Sequence, residues 1–148
     1  MAVAEAAAGG VHGGPGDRRW VAAAVGAVLA VGLQLWGLYR VSSPPTLSWF
    51  RNADKVVHAS IFALAVGMIL LTVWLRARSN GVPLRRTAVA LVAAVFGLHA
   101  VVSELIQHFF YRTRTGDPRD VLADSVGIAV GVGAFQLVRR RSDRRAEP

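Results

Sequence analysis

The residues best suited to chemistry in this chain are ionisable side chains near the ends of long apolar stretches. They comprise five carboxylates, one lysine and two histidines: Asp54, Lys55, His58, Glu104, His108, Asp117, Asp120 and Asp124. A charged side chain at the centre of a membrane-spanning helix costs roughly 2.5 to 3.5 kcal/mol on insertion scales, so such groups usually face the interior of a bundle and pair there. We therefore treat them as candidate functional residues.

Their spacing places several of them on shared helix faces. Asp54 and His58 lie one helical turn apart, and so do Asp120 and Asp124. A carboxylate or an imidazole can act as a general base, and an arginine can hold a phosphate through paired hydrogen bonds. The candidate catalytic residues are Glu104, Asp120 and His58, and the candidate substrate-binding residues are Asp54, Lys55, Gln107, Arg114, Asp117 and Asp124.

A structural interpretation of the same residues stays open. Asp54 and Asp120 stand where helix N-termini are expected, and carboxylates there cap free amides and meet the favourable end of the helix dipole. Glu104 falls near a helix C-terminus, where the dipole opposes a negative charge. Pairing with Arg114 or Lys55 would explain Glu104, either in a binding site or as a structural ion pair.

Metal binding is a less favoured alternative. His58 and His108 could ligate an ion beside Asp54, Glu104 and Asp124, but such spacing is common by chance. We therefore assign no metal site and no cofactor. The chain has no cysteine, which excludes disulfides and thiolate chemistry, and it carries no serine elbow, P-loop or dinucleotide fingerprint. An enzyme and a binding protein both stay open.

Four apolar runs must position these residues: 20–38, 56–75, 87–110 and 121–138. Each is close to the ~20 residues that cross a bilayer, where a spanning segment has to be helical. The hydrophobic fraction of 53% and the mean hydropathy of +0.42 agree. The first run lacks the small residues that signal-peptide cleavage requires at its exit. The sequence therefore predicts an all-α integral membrane bundle of four transmembrane helices over residues 20–138.

The basic residues predict the orientation. If both termini are cytoplasmic, eleven of the seventeen arginines and lysines lie inside: Arg18, Arg19, Arg76, Arg78, Arg85, Arg86, Arg139, Arg140, Arg141, Arg144 and Arg145. The positive-inside rule favours this arrangement for a multi-pass protein of the cell membrane, with the polar cluster outside. Residues 1–19 are then a disordered cytoplasmic tail and residues 139–148 a basic cytoplasmic tail.

The expected partners follow from charge and small residues. The net charge of +8 is explained by loop arginines that orient the chain, so we expect no nucleic acid. The basic C-terminal tail is expected to meet anionic membrane lipids. Gly127 and Gly131 form a small-residue pattern that favours ordinary helix packing, with a homo-oligomer as the lesser option.

Taken in order, these motifs resemble those of the VanZ-like family. The family pattern is D-K-x-x-H, E-x-x-Q, an arginine, D-x-x-x-N and G-x-x-x-G, and the resemblance covers about residues 40 to 135. The matching positions are Asp54, Lys55, His58, Glu104, Gln107, Arg114, Asp120, Asp124, Gly127 and Gly131. Asp124 departs from the family's asparagine and adds a carboxylate.

The resemblance implies a setting rather than a reaction, because the family is named for a protein associated with resistance to the glycopeptide teicoplanin. We expect a multi-pass bacterial membrane protein whose outer cluster binds or modifies a cell-envelope component, such as a lipid-linked cell-wall precursor, and influences teicoplanin susceptibility. The alternative is a structural or partner-binding membrane protein in which the cluster is an interhelical salt-bridge latch. A small transporter is a third option, limited by the little room that four helices leave.

The orientation predicts a labelling pattern in intact cells. A membrane-impermeant maleimide should modify Thr115→Cys but not Asn80→Cys, and the absence of native cysteine removes the background. Both variants should be labelled after the cells are permeabilised. Labelling of position 80 alone would place the polar cluster in the cytosol and contradict an envelope function.

Overall fold

The chain forms four helices in a computed structural model that describes residues 17–39, 52–111 and 117–145. The helices are α1 (Asp17–Tyr39), α2 (Ala53–Ser79), α3 (Arg86–Phe110) and α4 (Pro118–Arg144), and these described ranges contain no strand. Each helix contains one predicted apolar run and is long and apolar enough to cross a membrane. The prediction of an all-α bundle of four membrane-spanning helices is confirmed, and the chain is a multi-pass membrane protein.

The bundle exposes apolar side chains on its outer surface. Val28, Leu98 and Leu122 are each about two-thirds exposed or more, at 72%, 66% and 67%. Such a surface suits lipid tails, which are as apolar as the side chains they meet. Side chains are buried mainly where the helices contact one another. A polar residue buried at such a contact therefore stands out from the mostly apolar sequence.

Helix α2 lies at the centre of the bundle. It packs most extensively on α4 and α1, whereas α3 packs mainly on α4. Phe62, Val66 and Leu70 of α2 are fully buried. Phe62 meets Phe96 edge-on with ring centroids 6.2 Å apart, so the aromatic rings tie α3 to the central helix.

A glycine turn reverses the chain between α2 and α3. Gly81 has a φ of 67°, which favours glycine, and the Val82 amide donates to the Ala77 carbonyl at 2.9 Å. The end of α1 meets the end of α3, where the Tyr111 hydroxyl donates to the Tyr39 carbonyl at 2.7 Å. The starts of α2 and α4 lie at this same end, which we call the acidic end.

The opposite end is basic, and its charges are partly paired. Arg78 and Arg139 lie 4.0 Å and 3.8 Å from Asp143, and the Arg76 guanidinium lies 4.5 Å from the centre of the Trp20 ring. Helix α4 continues through the first basic residues of the expected tail as far as Arg144. The helix therefore presents these arginines at the end of the bundle where anionic headgroups are expected.

Two glycines bring α2 and α4 into close contact. A Cβ on Gly127 would collide with the backbone of Ala59, and one on Gly131 would stand 2.6 Å from the Ala63 carbonyl oxygen. The small-residue pattern thus serves helix packing within the chain, as favoured from the sequence. Homo-oligomer formation through these glycines stays a prediction, and in this structure α2 covers that face of α4.

Alanine substitutions should separate packing glycines from lipid-facing ones. Gly131→Ala should lower the free energy of unfolding by about 1–3 kcal/mol, because the added methyl overpacks the α2–α4 seam. Gly133→Ala is the matched control, since no atom of another described helix lies within 4 Å of its Cβ position and alanine favours helix. Unfolding in detergent, followed by circular dichroism, measures both, and equal stability of the two variants would contradict the packing argument.

Candidate functional site

Lys55 binds three carboxylates at the acidic end. Its ammonium group lies 2.7 Å from Asp120, 3.1 Å from Asp117 and 3.2 Å from Asp54. Two of these contacts cross from α2 to the start of α4. The Lys55 side chain is 21% exposed, so the network sits at the edge of the bundle rather than in open solvent.

Asp117 caps α4 and connects it to α3. Its side chain accepts a hydrogen bond from the Arg119 amide at 2.9 Å, and Pro118 occupies the first helical position. This backbone hydrogen bond, together with Lys55, lowers the pKa of Asp117 below its usual value. The Asp117 amide donates in turn to Glu104 at 2.9 Å. The helix cap is thus Asp117, whereas the Asp120 side chain binds Lys55.

A buried histidine–aspartate pair lies one turn deeper. His58 Nδ1 is 3.0 Å from Asp124 Oδ1, and both side chains are buried, at 8% and 0% exposed. The polar residues predicted on one face of α2 and on one face of α4 thus meet at the same end of the bundle. A buried pair of this kind is a strong interaction, because hydrogen bonds to charged groups strengthen away from water.

Two carboxylate oxygens in this region accept no hydrogen bond from the described residues: Glu104 Oε1 and Asp124 Oδ2. Glu104 is 6% exposed and Asp124 is fully buried. A buried acceptor without a partner costs about 1–3 kcal/mol, so each case requires an explanation. The Glu104 carboxylate accepts a hydrogen bond from the Asp117 amide rather than pairing with the Lys55 ammonium group. Its second oxygen, Oε1, has no hydrogen-bond partner among the described residues.

His58, Glu104 and Asp124 converge from three helices. One potential ligand atom from each of these buried side chains lies within 4.8 Å of the others. An imidazole nitrogen and two carboxylate oxygens are suitable donors for a divalent metal ion, and they are equally suited to acid–base chemistry. We call these three residues the buried triad.

Other predicted site residues are placed differently. Gln107 is buried and donates to the Leu38 carbonyl at 3.2 Å, which ties α3 to α1. His108 is exposed and packs its ring on Phe109 with centroids 5.0 Å apart, outside the buried triad. Arg114 lies outside the described residues, and its role in binding stays a prediction.

Two polar residues near the triad's end of the bundle had no role in the predicted site. Gln34 is 1% exposed, and its amide nitrogen has no hydrogen-bond partner among the described residues. His99 stacks on Phe62 with ring centroids 6.0 Å apart. Gln34 is the one residue with an amide or ionisable side chain in the first apolar run. A single polar residue in an apolar run is the sequence pattern that could have identified it as a buried polar residue.

A groove of about 580 Å³ runs between α2 and α4 beside the site. Most of its lining is small or apolar, and its polar end is formed by Asn52 and Lys55: Asn52, Lys55, Val56, Ala59, Ser60, Ala63, Ala123, Val126, Gly127 and Val130. The same lysine that binds the carboxylates therefore borders the apolar groove.

Comparisons with known proteins identify the family. Residues 20–139 match the family described as VanZ/LLP1, a stretch that includes all four membrane-spanning segments and the whole acidic end. Searches of curated proteins and of solved structures each found no match. The motif resemblance and the family match agree, and the chain belongs to the VanZ/LLP1 family.

Proposed function

We propose that this protein binds a lipid-linked component of the bacterial cell envelope at its acidic end. The observation that carries the proposal is the continuity between the α2–α4 groove and the polar cluster, which share Lys55. A lipid-linked molecule has the same two parts, an apolar chain and a polar head. The chain lies along the groove, which no triad residue lines, and the head extends from the Lys55 end of the groove toward the triad one turn deeper.

The groove suits an apolar chain because its floor is made of small residues. Ala59, Ala63 and Gly127 bring the two helices together, and Val126 and Val130 form its flanks. These valines are 58% and 56% exposed, so the groove opens toward the lipid rather than into the bundle. A molecule dissolved in the bilayer therefore enters sideways without crossing a polar barrier.

The triad suits a head that donates hydrogen bonds. Glu104 Oε1 and Asp124 Oδ2 are acceptors, so their partners are hydroxyl, ammonium or amide groups. Sugar and peptide heads of cell-wall precursors carry such groups. His58, oriented by Asp124, is positioned to take a proton from a bound hydroxyl if the head is modified as well as bound.

Asp120 has a different part in this proposal. Its carboxylate lies 2.7 Å from the Lys55 ammonium group and fixes that group at the mouth of the groove. The assignment of Asp120 as a catalytic base stays a prediction. With both termini cytoplasmic, the acidic end faces outward, where a bound precursor would change the access of teicoplanin to its target.

Filling the groove should abolish the effect on teicoplanin. In a bacterial host made less susceptible by this protein, Val126→Trp should return the minimum inhibitory concentration to that of a host lacking the protein, because the indole occupies the space of the apolar chain. The matched control is Val101→Trp, a partly exposed valine of α3 that does not line the groove.

Protein amount in the membrane must be equal for the comparison. Loss of the phenotype in both tryptophan variants, or only together with loss of the protein, would contradict a role for the groove. An unchanged phenotype in Val126→Trp would contradict it as well, since the filled groove leaves no room for a chain.

A salt-bridge latch is the second candidate function, and the three contacts of Lys55 favour it. Lys55 connects the start of α2 with Asp117 and Asp120 at the start of α4. Such a network would hold the two helices together at the membrane surface. The network would then stabilise the protein without binding a ligand.

The latch predicts a graded loss of stability. Asp120→Asn should lower the free energy of unfolding in detergent by about 1–2 kcal/mol, because it weakens a short contact of a side chain that is only 16% exposed. Asp54→Asn is the control: this side chain is 62% exposed and neighbours Lys55 in sequence, so its effect should stay under about 0.5 kcal/mol. Equal effects of the two substitutions would contradict the latch.

A further inference from the structure

We propose that His58, Glu104 and Asp124 hold one divalent transition-metal ion of the Zn²⁺ or Mn²⁺ type. The inference rests on the proposed function in treating the acidic end as a binding site, and it adds an ion to that site. It also revises the expectation, drawn from spacing alone, that no metal is bound. The sequence had suggested His108 as a second ligand, and the exposure of His108 removes it from the set.

The three candidate ligands converge from separate helices. The three side chains come from α2, α3 and α4, and their potential ligand atoms lie within 4.8 Å of one another. Two ligands of one tetrahedral zinc ion lie roughly 3.4 Å apart when each bond is about 2.1 Å long. The separations of up to 4.8 Å exceed this value by no more than about 1.4 Å, a difference small enough for side-chain rotation to close.

Two carboxylate oxygens of these side chains have no hydrogen-bond partner among the described residues. Glu104 Oε1 and Asp124 Oδ2 belong to two of the three converging groups, and both residues are more than nine-tenths buried. Two buried carboxylates this close repel each other when both are ionised, unless a cation lies between them. A divalent ion satisfies the acceptors and offsets the charge in one step, which a single hydrogen-bond donor does not.

Neighbouring contacts hold two of the candidate ligands in place. Glu104 is held by the Asp117 amide at 2.9 Å, and Asp117 itself is fixed by Lys55 and by its capping bond. Outer contacts of this kind orient ligating carboxylates in metalloproteins. Gly127 lies on the turn after Asp124 and presses α4 against α2, so the aspartate cannot retreat from His58.

The donor set indicates the class of ion. Imidazole nitrogen favours zinc and its neighbours in the first transition series, whereas Mg²⁺ and Ca²⁺ prefer oxygen ligands alone. Three protein ligands leave at least one coordination position open, as in catalytic rather than structural sites. That position is where a hydroxyl oxygen of the bound head would coordinate, and with His58 holding the ion, the ion would activate that hydroxyl in place of His58.

Ion binding to the purified full-length chain tests the inference directly. The protein carries a tag without histidine, is stripped with a chelator in detergent and is titrated with Zn²⁺ or Mn²⁺ by calorimetry. One ion per chain is expected. Glu104→Gln and Asp124→Asn should each weaken ion binding by about 100-fold or more. Loss of a residue that only supports a ligand weakens binding by up to about 100-fold, and here the ligand itself is altered.

The controls separate the site from surface binding. His108→Ala removes an exposed histidine and should leave affinity unchanged. Mg²⁺ at the same concentration should not compete with Zn²⁺. Affinity should also fall as the pH is lowered, because ligation requires a deprotonated ring nitrogen and ionised carboxylates. Circular dichroism and gel filtration establish that each variant is folded.

Three results would overturn the inference: no binding by the wild-type chain, undiminished binding by both carboxylate variants, or loss of binding in His108→Ala. If the variants unfold, X-ray absorption of the zinc-loaded wild-type protein tests the site instead. One imidazole with carboxylate oxygens is the expected set of ligands. Several imidazoles, or water alone, would contradict the inference. The assay contains no envelope component, so its failure leaves the groove proposal standing, and failure of the groove variants leaves the ion site standing.

Discussion

The close approach of α2 and α4 is the constraint on which the acidic end depends. Gly127 and Gly131 let the α4 backbone reach the backbone of Ala59 and Ala63. Only at that separation can a short aspartate on α4 hydrogen-bond a histidine on α2 at 3.0 Å. A membrane supplies no hydrophobic force between helices, so the seam relies on this packing and on the polar contacts that it permits.

The acidic end has two layers, which differ in how many of their polar atoms have a hydrogen-bond or ion-pair partner. In the outer layer Lys55 binds three carboxylates. In the inner layer His58, Glu104 and Asp124 are more deeply buried, yet two of their oxygens have no hydrogen-bond partner among the described residues. The layer that costs most to bury is thus the layer left incomplete. A network kept only for stability would be expected to show the reverse order.

The fold was predictable from the sequence because an apolar run of about 20 residues that spans a bilayer has to form a helix. The placement of polar residues at one end also followed, since alternating spans bring their ends together. Contacts within that end did not follow, because hydrogen bonds depend on helix rotation and on loop geometry. Asp117 is the clear example. The sequence predicts it as one substrate-binding residue among several, whereas in the structure it caps α4, its amide donates to Glu104 and its side chain binds Lys55.

Asp124, where the motif that the sequence resembles has asparagine, changes which hydrogen bonds the inner layer can make. The related family pattern has asparagine there, whose amide both donates and accepts, so it could satisfy His58 and a neighbouring carboxylate at once. Aspartate only accepts when ionised, and it adds a charge beside Glu104. The remaining demand is for donors or a cation, which shifts the site away from acceptor-rich ligands. Under the proposed function, the phosphate that Arg114 is predicted to hold would belong to the outer layer, while the inner layer would suit groups that donate hydrogen bonds or carry positive charge.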